Sequence, residues 1–341
     1  MKKIFLIILI IVLVGIVYFV FFKSEKQTEI LPNNLGVSDI KQENVKGTVK
    51  YHDISIPAYS EKFYNGRELT LGKVLAETSN YTRYYITYKS GELTISGILN
   101  VPKGVVPEGG WPVLFLNHGH IDTEIYTNGR GLKREQDYLA SRGFAVFHSD
   151  YRNHAESDKD EASELTLRLA YVEDVINAVE AVKNSKLEYL SKEKFGMLGH
   201  SMGGGIAQNI AVIKPDLVKS IVLFAPVSMK PEDSFERWTK SRLEIAQKII
   251  EAYGSPTSSP EFWANASAIN FLDRISIPLL YHHGTADADV PLDWSEKTVK
   301  ALEEAGKEVI FNVYEGQPHE FTTDWPLVMQ RTLEFFNQTV K

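Results

Sequence analysis

The sequence predicts an α/β architecture: a mostly parallel, doubly wound sheet with helices on both faces, entered through an N-terminal antiparallel hairpin. Short apolar runs without alternation recur at Trp111 to Leu116, Phe144 to His148, Phe195 to Leu198, Ile221 to Phe224, Pro278 to Tyr281 and Val309 to Tyr314. Runs of this kind are strands buried on both faces, as in parallel sheets. Between two of them Leu165, Leu169, Val172, Ile176 and Val179 keep a helical period. Ahead of them Leu71 to Val101 alternates, and Tyr81–Tyr88 and Leu93–Asn100 flank Lys89-Ser90-Gly91-Glu92, which is hairpin chemistry.

Taken in order, the chain of 341 residues begins with Met1-Lys2-Lys3, nineteen uncharged residues from Ile4 to Phe22, and Lys23. A helix of that length is about 28 Å long and spans a bilayer. No small-residue cleavage site follows, so residues 1–23 are expected to form an uncleaved signal anchor, with the N-terminus inside and the catalytic part extracytoplasmic. Residues 24–50 are polar and Pro/Asn/Gly-punctuated, as a tether would be. Residues 51–341 then form the catalytic domain. A helical insertion at about 228–274, with Trp238, Ile245, Ile249 and Ala252 at helical spacing, lies between the fourth and fifth runs. It is expected to cover the carboxyl edge of the sheet, where such folds bind ligands. Its aromatic residues Phe235, Trp238, Tyr253, Phe262 and Trp263 either line an acyl pocket or pack together.

Composition narrows the partners. The formal net charge is −7, and beyond Lys23 the chain keeps 34 basic against 44 acidic residues, with no basic stripe for nucleic acid or for anionic lipid. The expected membrane contact is the N-terminal helix alone. There are no cysteines, which removes disulfides, thiolate metal sites and a cysteine nucleophile. No internal repeat of 20 to 50 residues is present. His118, His120, His282 and His283 stand at strand-end turns without a ligand pattern, so neither a metal nor a cofactor is expected.

The chemistry starts at the end of the third run, where Gly199-His200-Ser201-Met202-Gly203 leads into an apolar helical stretch. A G-x-S-x-G turn between strand and helix holds its serine in a strained backbone with the hydroxyl exposed. Serine becomes nucleophilic only beside a base that an acid orients, so an acid and a histidine are expected at later strand ends, in that order. His283-Gly-Thr-Ala-Asp287-Ala-Asp289 and Gly316-Gln-Pro-His319 supply them. Asp287 is preferred over Asp289 because it is nearer the strand end; His319 is the base. The amides of Met202, at the helix start, and His120, after Gly119, are the expected oxyanion donors. Asp150-Tyr-Arg-Asn-His154 reads as a structural turn whose Asp and Arg tie neighbouring loops, and Tyr126 as a packed tyrosine or one that faces substrate.

These residues together resemble a known family. Phe195-Gly-Met-Leu-Gly-His-Ser-Met-Gly-Gly204, Asn117-His-Gly-His120, Asp150-Tyr-Arg-Asn-His154, His283-Gly-Thr-Ala-Asp287 with Val290-Pro291, and Gly316-Gln-Pro-His319 look like the catalytic domain of the prolyl oligopeptidase group of α/β-hydrolases, the S9-type serine peptidases. The resemblance covers roughly residues 70–340. It implies an α/β-hydrolase fold with Ser201, Asp287 and His319 as triad, acting through an acyl-enzyme on small peptides. The group's large peptidases carry a β-propeller, and the 87 residues between the anchor and Trp111 are too few for one. A carboxylic-ester hydrolase of the same fold is therefore the alternative, and a non-catalytic anchored binding module the alternative of another class. Asn153 stands where the group usually has glycine.

Overall fold

A computed structural model describes residues 51–341. Its sheet has nine strands: β1 (Arg67–Glu77), β2 (Tyr81–Ser90), β3 (Leu93–Pro102), β4 (Trp111–Asn117), β5 (Ala145–Ser149), β6 (Leu190–His200), β7 (Ile221–Phe224), β8 (Leu279–Gly284) and β9 (Val309–Tyr314), in the order β1-β2-β3-β5-β4-β6-β7-β8-β9. The first three strands form an antiparallel meander, and β3 meets β5 antiparallel. Every pairing from β5 to β9 is parallel. The expected hairpin is present, turning at Gly91 with φ 59, a left-handed value that glycine takes without penalty. The predicted membrane span and tether lie outside the described residues. No helix of the described residues is long and apolar enough to cross a membrane.

Six helices position the site: α1 (Ile56–Glu61), α2 (Lys133–Ala140), α3 (Leu169–Lys183), α4 (Met202–Ile213), α8 (Leu292–Glu304) and α9 (Trp325–Thr339). The pleat of β4 distributes its side chains to two cores. Val113 and Phe115 face α3, α4 and α8, while Leu114 and Leu116 face α2 and α9. Each of these four side chains is 1% exposed or less, so each contributes about 1.5–3 kcal/mol of transfer free energy. The unalternated runs are thus explained for β4, β5, β7 and β8. The last run is not of that kind: in β9, Ile310 and Val313 are exposed although they point to opposite faces, because β9 ends the sheet and is covered only in part on each side. The α1 turn has no counterpart in the sequence reading. Its signal is local: the Ser55 hydroxyl accepts from the Ala58 amide at 3.2 Å, Pro57 sits in the first turn, and Ile56 is fully buried.

The insertion consists of α5 (Pro231–Ser234), a π turn (Phe235–Thr239), α6 (Leu243–Tyr253), α7 (Pro260–Ala266) and a 3₁₀ turn (Ala268–Arg274). It has a small core of its own, made of Phe235, Ala246, Ile249 and Trp263. Tyr253 and Phe262 stack at 4.5 Å, and Trp238 meets Trp294 edge-on at 5.5 Å. Four of its aromatic residues therefore pack against one another and Trp238 packs against α8, and of the five only Phe235 also reaches the cavity described below.

Three fully buried histidines couple this core to pH. Burial holds His148 and His282 down at about 3, and His118 well below the ordinary value of 6.5. All three are neutral in the folded protein. As pH falls below 6.5 the unfolded chain takes protons that the folded chain refuses, so stability is complete above that pH and declines towards pH 3. The slope approaches about 1.4 kcal/mol per pH unit for each such histidine. Denaturant midpoints are expected to drop between pH 7 and pH 4.5; constant midpoints would contradict neutral buried imidazoles.

Candidate active site

Ser201 sits between the last residue of β6 and the first of α4, with φ 55 and ψ −119. This left-handed backbone is costly for serine, and its surroundings hold it there. The Ser201 amide donates to the Phe224 carbonyl at 2.9 Å, while its own carbonyl accepts from Gly205 at 3.1 Å and Val227 at 3.2 Å. Glycine is needed on the far side of the turn: a Cβ on Gly203 would stand 2.0 Å from the Asn117 carbonyl oxygen. The loop after β4 passes so close that a Cβ on Gly119 would be 3.2 Å from Ser201 Cβ. That approach brings His120 beside the elbow, and His120 and Met202 line the same cavity. Met202 opens α4, so its amide has no acceptor within the helix and is free for an oxygen in the cleft.

The acid and the histidine meet across two loops. His319 Nδ1 lies 2.6 Å from Asp287 Oδ2. The proton is assigned to Nδ1 by that carboxylate, leaving the Nε2 lone pair outward. Asp287 Oδ1 accepts the amides of Asp289 at 2.9 Å and Val290 at 2.8 Å. Burial alone would raise this carboxyl, but hydrogen bonds from His283 and His319 outweigh it and hold Asp287 well below the usual carboxylate range. Asp289 is exposed and its amide serves Asp287, so of the two acids it is Asp287 that bonds to the imidazole. The loops are pinned together where Ala286 N–H donates to the Gln317 carbonyl at 3.0 Å, and a Cβ on Gly284 would fall 2.1 Å from that same oxygen.

Two further histidines belong to this constellation and were not assigned from sequence. His283 Nε2 faces Asp287 Oδ2 at 3.2 Å and the Val290 carbonyl at 3.1 Å, both acceptors, so its proton sits there and Nδ1 accepts from the Ser295 hydroxyl at 2.8 Å. The signal was available: His283 precedes Asp287 by four residues at the strand end. His200 lies with its ring 4.4 Å from that of His319 and its Nε2 3.2 Å from the His319 carbonyl, so the histidine loop leans on the residue before Ser201. Among the described residues no hydrogen bond joins Ser201 Oγ to the His319 ring. Such bonds are often long in enzymes without substrate and tighten when it binds.

The Asp150–His154 turn ties loops together as its sequence suggested. Asp150 accepts from Ser96 at 2.6 Å, Asn128 at 2.7 Å, Tyr126 at 2.8 Å and the Gly129 amide at 2.8 Å. Tyr126 is therefore a packed tyrosine, buried against the His118 ring at 4.9 Å. Arg152 binds Asp174 through Nη2 at 2.7 Å and Nε at 3.0 Å, and Asp160 at 2.7 Å. Asn153 has φ 68, the conformation that favours glycine and that asparagine tolerates best among the others. Its side chain adds bonds to the Asp160 carbonyl at 3.0 Å and Ser163 Oγ at 2.8 Å, which a glycine lacks.

Beside the elbow is a cavity of roughly 360 Å³. Its walls come from α4 (Met202, Gly205, Ile206, Asn209), from the residues before α3, and from the insertion.

Comparison with known proteins agrees with this architecture. The family model described as Peptidase_S9, the prolyl oligopeptidase family, matches residues 131–341. A non-heme chloroperoxidase of Streptomyces lividans is 24% identical over 275 residues, 67% of this chain and 92% of the relative. A Bacillus subtilis protein described as an uncharacterized peptidase is 26% identical over 246 residues, covering 71% and 88%. Among solved structures, an acetyl xylan esterase from Paenibacillus sp. R4 superimposes with a TM-score of 0.63 at 18% identity, over 83% of this chain and 92% of that one. The acylaminoacyl peptidase of Pyrococcus horikoshii gives 0.63 at 22%, over 77% of this chain. This chain spans only 42% of that peptidase's length. At such identities both structures speak for the fold.

The Arg152 network has a measurable weight. Asp174 is fully buried and Arg152 nearly so. Replacing Arg152 with Met leaves a buried carboxylate without its cation, and the expected loss is about 3–5 kcal/mol in denaturant unfolding. A loss under about 1 kcal/mol would mean that the pair is not the tie described.

Proposed function

Because this chain belongs to the prolyl oligopeptidase family and is a serine hydrolase, we propose that Ser201, Asp287 and His319 are its triad and that it hydrolyses small peptides through an acyl-enzyme. The observation that carries the assignment is the 2.6 Å bond between Asp287 and His319, in loops that follow β8 and β9, with Ser201 on the strained turn after β6. His319 Nε2 takes the Ser201 hydroxyl proton as Oγ attacks the carbonyl carbon. The amides of His120 and Met202 receive the developing oxyanion, and Asp287 stabilises the imidazolium. The same imidazole protonates the leaving group, and a water then repeats the sequence to free Ser201. His283 keeps Asp287 ionised and in place.

Ester hydrolysis is the second reading. It draws on the extent of the likeness to the acetyl xylan esterase, 92% of that chain. Anchoring by residues 1–23 with the catalytic domain extracytoplasmic also belongs to the proposal, supported by the uncharged run Ile4 to Phe22.

A fluorophosphonate probe is expected to label the protein, and Ser201→Ala to abolish labelling; persistent labelling would remove Ser201 from its role. Asp287→Asn is expected to lower kcat on the order of 10⁴-fold, as for a base left in the wrong tautomer, with the fold intact by circular dichroism. Short acyl esters run beside aminoacyl arylamides decide the substrate class: turnover of esters alone would discard the peptidase reading. The full chain is expected to remain in the membrane pellet after carbonate washing, and release into the supernatant would discard the anchor.

A further inference from the structure

The cavity beside the elbow holds a positive charge that the triad does not use. Arg168 lines it, half-buried, at the start of α3. Among the described residues its guanidinium forms no hydrogen bond and no ion pair. The other arginines nearby differ: Arg152 binds Asp160 and Asp174, and Arg242, on the insertion wall of the same cavity, pairs with Glu164 at 2.8 Å. Glu164 is thereby engaged, and Asp122 is exposed with its carboxylate accepting the Glu124 amide at 3.0 Å. Burial pushes the Arg168 guanidinium down from its ordinary value and Arg242 adds to this, with Tyr171 opposing. Arginine nevertheless keeps its charge in proteins, so this fork of donors faces the cavity without an acceptor.

The backbone fixes where that side chain starts. Leu167 and Arg168 are consecutive residues with φ 51 and 71, an unusual pair for side chains of this size. The same cavity is lined by Met202, Gly205, Ile206 and Asn209 of α4, the helix that begins next to Ser201. Since Met202 lines the cavity, an acyl group on Ser201 with its oxygen at the Met202 amide would enter it along α4, and the volume holds a chain of a few carbons.

We propose that Arg168 binds a carboxylate at the far end of the acyl group, so that the preferred substrates are esters or peptides whose acyl part is itself acidic. This rests on the reading of Ser201 as nucleophile and names the substrate class of that site. A guanidinium meets a carboxylate through two parallel hydrogen bonds, which supplies both charge and direction. Ser163, ahead of α3, and Ser228 and Ser234, on the insertion, also line the cavity and make its surface polar.

The test compares 4-nitrophenyl hydrogen glutarate with 4-nitrophenyl valerate, chains of equal length ending in carboxylate or methyl, after subtraction of the uncatalysed rate. The expected result is a kcat/KM higher by about tenfold or more for the glutarate, the size of one charge-assisted contact. Arg168→Met is expected to remove that preference, mainly through KM, while valerate turnover stays within about twofold. Arg168→Lys, which keeps the charge and the fold but loses the fork, is expected to retain part of the preference, and added salt to compress it in both charged forms. An equal glutarate-to-valerate ratio in the wild type and Arg168→Met, with valerate hydrolysed normally, would overturn the proposal. Valerate turnover that survives Ser201→Ala would instead overturn the nucleophile assignment on which it rests.

Discussion

The site depends on a single close approach, that of the loop after β4 to the turn between β6 and α4. Gly203 faces the Asn117 carbonyl with no room for a Cβ, and Gly119 passes almost in contact with Ser201. That contact holds Ser201 at φ 55 and brings His120 to the same cavity as Met202. The strain is affordable because β4 and β6 are neighbours at the centre of the sheet, paired from Val113–Phe195 to Asn117–Gly199 and buried on both faces. Their rigidity is what a strained residue requires.

Charge is placed on top of that frame by burial and compensation. Asp287 stays anionic in a covered position because four donors converge on its two oxygens: two amides and two imidazoles. The remaining buried histidines have no such partner and stay neutral, so they act as aromatic packing, His118 stacking on Tyr151 at 4.3 Å and on His148 at 5.2 Å. Arg152 shows the opposite balance, a cation enclosed by carboxylates that ties the turn after β5 to α3. Arg168 is similar in chemistry and differs in company, which is why the two arginines carry different functional meaning.

Much of this was legible beforehand. The six apolar runs appear as β4 to β9 within a few residues, since a strand covered on both faces needs an unbroken apolar run and little else in this chain does. The elbow was readable because only glycine fits beside a serine in a strained turn, and the acid and histidine because chain order constrains where they return. The exposure of β9 was not readable: Val309 to Tyr314 is apolar like the central runs, and edge position is a property of the sheet. Asn153 could be noticed but not interpreted without its φ of 68 and its two side-chain bonds.

By itself the sequence determined the alternation of strand and helix, the glycine turn around Ser201, and the order in which serine, acid and histidine arrive, because each is set by residues adjacent in the chain. Only the tertiary structure decided that Asp287 rather than Asp289 bonds to His319, and that Arg168 lines a cavity whose Glu164 is paired with Arg242 instead. The first joins loops 32 residues apart and the second joins the segment before a helix to an insertion, and local spacing holds no information about which oxygen or which charge ends up nearby.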